Sequence, residues 1–229
     1  MIRESLINTF EFFLLPLVVI YFFNIIFDLL IKRSVFSPFY MILVAPGVIV
    51  HEISHTLAAI ITGAEIKHIN LFSSSGGHVV HSKSKLPIVG QFIISFAPVV
   101  GQILAILLIS RYAAPALFSM SWHQFTLRDI SKVASTLEWS SITTWILIYF
   151  IISFCLAIAP SKKDLNNSFL GIIGMTVIVF LLFYTDFISG LTPYLQIILP
   201  ALWLAVLMIS LITLMILPFV ILNKILGKW

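Results

Sequence analysis

His51, Glu52 and His55 stand in the stretch APGVIVHEISHTLAAIITGAE, residues 45–65, among Val, Ile, Leu and Ala. Together they spell H-E-x-x-H. On a helix, positions i and i+4 lie one above the other, so both imidazoles can grip a single metal ion. Glu52 follows the first histidine directly, in position to take a proton from an attacking water. Zinc suits such a pair because it accepts nitrogen and oxygen donors tetrahedrally and has no redox chemistry of its own. A catalytic zinc uses three protein ligands and an open position, so the motif calls for one more donor, a carboxylate or another histidine.

The elements around the motif decide how far five letters can be trusted. Of the 229 residues, 60% are hydrophobic and 10% charged, against about 25% charged in soluble domains. Mean hydropathy is +1.13. The expected fold is an all-α polytopic membrane protein, one integral domain over residues 1–229. Six helices of spanning length fit, at roughly 8–31, 38–62, 88–110, 140–159, 168–188 and 195–222. The first lacks a small-residue cleavage site after its apolar run and is expected to be a retained helix. The net charge of +4 comes without a basic stripe, which sets nucleic-acid partners aside. The single cysteine, Cys155, lies in an apolar run and is expected to be a packing residue.

This setting sharpens the motif. A charged group at the centre of a bilayer costs about 2.5–3.5 kcal/mol on insertion scales. A solvated polar face, the ordinary explanation for such residues, has no bulk water to face. A buried polar cluster tying helices together is the other reading, and the metal-ready spacing favours a metal over it.

Two connections stand out. Residues 63–86, GAEIKHINLFSSSGGHVVHSKSKL, are too polar to span, and their short apolar runs around Ser-Ser-Ser-Gly-Gly predict two strands and a turn. Residues 111–139 form the longest polar loop, and His123 within it is expected at the surface. Six spans put both termini on one side. That side then holds eight of the 13 Lys and Arg, among them Lys67, Lys83, Lys85, Lys162 and Lys163, which favours cytoplasmic termini. His51 and His55 then lie roughly 10–16 Å from the inner end of their helix.

An H-E-x-x-H inside a transmembrane helix, followed by Gly-Ala-Glu and a polar hairpin, resembles the site-2 protease family of intramembrane zinc metalloproteases. SFAPVVGQILAIL, residues 95–107, is similar to the small-residue, proline-containing stretch of that family's second core helix. The resemblance covers residues 38–190 and leaves 1–37 and 191–229 as accessory helices around a metalloprotease-like core. It implies an intramembrane endopeptidase with a Zn2+ cofactor, acting on membrane-protein substrates that carry a transmembrane helix. It further implies an aspartate as third ligand, from a third core helix. The family's Asn-Pro-x-x-x-Leu-Asp-Gly type motif is absent as such. The nearest match is LAIAPSKKDLNNSFLG, residues 156–171, where Pro160 breaks the helix and Asp164 follows.

Alternatives stay open at this point. Asp164 also suits a cap on the following helix, with Asn166 and Asn167. His68, His78 and His81 in the hairpin are rival third ligands. The hairpin is either a plain connector or an edge that pairs with an unwound substrate strand, the role the resemblance implies. Asn70 and Gln102 are candidates to steady an oxyanion. Outside the peptidases, a metal or ion transporter or an inactive scaffold would also use ionisable groups in a bundle. Against transport, the chain shows no repeated halves.

Overall fold

The computed structural model describes residues 18–20, 22, 26, 37–73, 76–113, 131, 134–158 and 192–225. Within these the chain is mostly helical, with one small sheet. Helix α1 runs Ser37–Ile61, strands β1 and β2 are Ile66–Asn70 and His78–His81, and helices α2, α3 and α4 are Pro87–Ala113, Ile142–Leu156 and Thr192–Ile225. The expected spans at 8–31 and 168–188 lie largely or wholly outside the described residues. Two described helices are long and apolar enough to cross a membrane: Phe39–Ile61 within α1 and Pro87–Tyr112 within α2. Only 39% and 33% of their apolar windows are buried. The remainder, including Phe39, Ile61, Val89 and Leu108, is apolar surface of the kind that lipid covers.

α1 packs on both α2 and α3, and α4 lies against α2 and α3. Ile106, Ile151, Cys155, Ala205 and Ile209 meet in the main core, so Cys155 is a packing residue in its neighbourhood as well as in its sequence. α3 is shorter than the expected span. It ends at Leu156, with Ala157 as its cap, ahead of Pro160, which disfavours helix at the residue before it. α4 is longer, 34 residues, or about 51 Å at the usual rise.

α1 stops at a glycine for a definite reason. Gly63 has φ 73°, a left-handed conformation with no penalty for a residue lacking Cβ. Its N–H bonds to Ile60 O at 3.0 Å, and Ala64 N–H reaches back to Ala59 O at 2.8 Å. This is the pair of bonds that closes a Schellman cap. Ala59 and Ala64 pack with Ala58 and Ile94 beneath it, and the chain reverses into the hairpin.

The predicted hairpin is present and antiparallel, with Asn70 opposite His78, Ile69 opposite Val79 and His68 opposite Val80. An irregularity between Ile66 and His68 leaves Lys67 as the extra residue before Ile66 meets His81. At the tip, Ser73 and Gly76 exchange main-chain hydrogen bonds of 3.1 and 2.9 Å. Below it, Lys85 N–H and Ser84 Oγ both donate to Thr62 O, at 3.2 and 3.0 Å, which ties the return strand to the end of α1.

Candidate metal centre

α1 presents three faces to three partners, and each brings something to the motif. One face carries Gly47 and His51 toward α3. A Cβ on Gly47 would collide with Ser153 O and come within 2.7 Å of Ala157 Cβ, so only glycine lets the helices approach this closely. Gly47 N–H donates to Ser153 Oγ at 2.8 Å. A second face carries Ser54 toward α2, where Gly101 leaves room for Ser54 Oγ. The third carries Val48 and Glu52 toward the hairpin tip, where Gly77 lies directly over them.

Close approach lets each histidine reach a main-chain carbonyl on a neighbouring helix. His51 Nδ1 is 3.1 Å from Ala157 O, and His55 Nδ1 is 2.8 Å from Ile94 O. A carbonyl oxygen can only accept, so each Nδ1 carries the hydrogen, and in the neutral ring Nε2 is then the atom that would meet a metal. This is the tautomer a metal needs, fixed by the partner of the other ring nitrogen.

Both acceptors are carbonyls with no helical partner of their own. Pro98, inside α2, has no N–H to give to the residue four positions earlier. That residue is Ile94. Ala157 stands at the end of α3, where the last carbonyls have no partner in the helix. The same rule operates once more in α1. Pro46 leaves Ile42 O without its bond, and Tyr149 Oη donates to it at 2.7 Å. The prolines that interrupt these helices therefore create acceptors, one of which orients a motif histidine.

The two rings are 4.9 Å apart between centroids, at 73°. Two imidazoles on one tetrahedral zinc, with Zn–N of 2.0–2.1 Å, have centroids about 5 Å apart. Spacing, tautomer and donor type thus fit zinc. His55 and Glu52 are buried, at 8% and 7% exposure, and His51 is half-buried. Among the described residues, no three of His, Cys, Asp and Glu gather at metal-binding distance, so His68, His78 and His81 do not join His51 and His55. Asp164 and His123 lie outside the described residues. Gln102, wholly buried, donates Nε2–H to Gly47 O at 2.6 Å, one turn before His51. Asn70 ends β1 opposite His78.

The profile of the Peptidase M50B-like family matches residues 18–189. The chain belongs to that family. It is a family of site-2 proteases, and the match supports a divergent membrane-bound member. The matched region contains α1, the hairpin, α2 and α3, and with them every residue placed above at the candidate metal centre. No curated protein and no solved structure matches the chain.

Ile94 O and Ala157 O, the groups that orient the histidines, are main-chain atoms and leave no side-chain pattern in the sequence. One signal was present for the first: a proline inside an apolar helix frees the carbonyl four residues before it, and counting back from Pro98 gives Ile94.

Proposed function

We propose that this chain is an intramembrane zinc endopeptidase whose centre is built on His51, Glu52 and His55. The observation that carries the reading is the pair of imidazoles 4.9 Å apart, each held through Nδ1 by a main-chain carbonyl of a neighbouring helix, with Glu52 next to His51 in the chain. His51 and His55 would hold the zinc, with Asp164 as third ligand. When bound, zinc polarises the scissile carbonyl and acidifies the attacking water. Glu52 takes the proton from that water and returns it to the departing amine. Its burial under Gly77 keeps the carboxylate out of bulk solvent, where proton transfer to the substrate would compete with solvent exchange.

The substrate is a transmembrane segment of another membrane protein, whose scissile bond must first leave its own helix. The β1–β2 hairpin supplies strand edges for the unwound segment. Support comes from its position, since its tip already touches the general base. The core is residues 38–190, with 1–37 and 191–229 as flanking helices. Both termini lie in the cytoplasm, on the charge count given above.

The test uses purified protein in liposomes with a panel of single-span substrates, products being read by mass spectrometry. The expected result is cleavage within or near the span by wild type and loss of it in Glu52→Gln, with zinc content unchanged. Zinc crossing the bilayer in both proteins without cleavage by either would replace the peptidase with a transporter.

A further inference from the structure

The hairpin carries a second pair of histidines that the proposed peptidase does not use. His68 and His78 lie on opposite strands, two residues out of direct register, since His68 faces Val80 and His78 faces Asn70. Positions 68, 70, 78 and 80 alternate onto one face of the ribbon, and diagonal neighbours on one face are within reach of long side chains. The rings meet: their centroids are 5.5 Å apart, at 37°. Both side chains are exposed, and among the described residues neither ring takes a hydrogen bond. His81 differs on both counts, being half-buried with Nδ1 bonded to Ser82 O at 2.7 Å.

We propose that His68 and His78 form a second divalent-metal site, selective for zinc or copper by its imidazole donors and completed by water. The spacing is the argument. About 5 Å between ring centroids is what two imidazoles on one metal require, and this pair stands at 5.5 Å without any rearrangement of the strands. Two imidazole ligands bind more weakly than a three-ligand centre, and they favour copper over zinc and zinc over magnesium or calcium. The metal cross-links β1 to β2 just below the tip, next to Gly77, whose backbone lies over Glu52. Metal at this site therefore holds the hairpin closed over the general base, and the chain has two metal sites of different strength on connected elements.

The experiment is independent of whether the chain is a peptidase. Tag-free protein in detergent carrying His51→Ala and His55→Ala is loaded with Cu2+, dialysed, and examined by elemental analysis and electron paramagnetic resonance. The expected result is one retained copper per chain, with hyperfine structure from two nitrogens. Adding His68→Ala or His78→Ala abolishes it, and adding His81→Ala does not. Circular dichroism of each variant confirms that the helices remain. Absence of bound copper in the folded His51→Ala/His55→Ala protein would overturn the site. So would copper that persists when His68 and His78 are both replaced.

Discussion

Pro98 and His55 share one carbonyl: Pro98 leaves Ile94 O without a helical donor, and His55 Nδ1–H occupies it at 2.8 Å. A proline within a helix is costly, about 3 kcal/mol relative to alanine, so its presence in α2 needs a counterpart. The counterpart is the orientation of His55, the proposed zinc ligand. In Pro98→Ala the new N–H competes for Ile94 O. The helix is expected to be as stable or more stable, while zinc affinity falls about 10-fold, the low end for losing an outer-shell partner. Thermal melts and chelator competition read the two effects separately. A variant with raised stability and unchanged zinc affinity would remove Pro98 from the centre and leave it a structural kink.

Gly77 supports a second prediction. A Cβ at this position would come within 2.5 Å of Glu52 Cγ, 2.8 Å of Leu71 O and 2.9 Å of Val48 Cγ1. Gly77→Ala must push the tip away from α1. Zinc content should stay intact, because the atoms such a Cβ meets first belong to Glu52, Leu71 and Val48 and not to the histidines. Cleavage should fall about 10-fold or more, since a small misplacement of a catalytic group costs up to about 100-fold. Gly76→Ala is the control: it meets nothing within 4 Å, although its φ of 99° makes alanine strained. Equal loss in both variants would mean that hairpin stability, and not contact with Glu52, is what activity needs.

The contrast between these residues shows what the sequence could carry. His51, Glu52 and His55 were legible because their chemistry lies in side chains at a fixed spacing on one helix. The hairpin was legible because alternating short runs around Gly76 and Gly77 fit strands and a turn. Ile94 and Ala157 were not, because they act through main-chain oxygens, and any residue type would read the same there. Nor was the meeting of His68 with His78 in place of His51. That depends on the register set at the hairpin tip, which places Asn70 opposite His78 and which no local pattern announces. The early end of α3 was half-legible: Pro160 marks a stop, but only the approach of His51 shows that the stop leaves Ala157 O in use.

Gly47 tests whether helix approach and ligand geometry are one property. It has no room for a Cβ, which would overlap Ser153 O. Gly47→Ala should separate α1 from α3 and lengthen the 3.1 Å bond from His51 to Ala157. Overpacking of this kind costs about 1–3 kcal/mol. Ser153→Ala removes only the acceptor of Gly47 N–H, about 1 kcal/mol for one hydrogen bond. Thermal melts should therefore rank wild type, Ser153→Ala and Gly47→Ala in that order. Zinc retention should follow the same order only at Gly47, whose side chain would displace the helix that carries His51's partner. Full zinc retention in Gly47→Ala would show that His51 does not depend on Ala157.

The proposed third ligand, Asp164, can be tested by subtraction. Among the described residues the hairpin histidines stay away from His51 and His55, and His68 is engaged with His78. A two-histidine centre would hold zinc weakly, whereas a third protein donor makes the site a catalytic one with an open position. At low free zinc, where the hairpin pair is empty, wild type should carry about one zinc per chain. His55→Ala and Asp164→Ala should each lose it, and Asp164→Asn should lose most of it, because an amide oxygen lacks the carboxylate's charge. His68→Ala, His78→Ala and His81→Ala should keep it under the same conditions. Elemental analysis at fixed free zinc, set with a chelator buffer, gives the answer in one series. Zinc retained in Asp164→Ala but lost in a hairpin variant would move the ligand from the segment after Pro160 to the hairpin, and would make the tip a part of the metal centre itself.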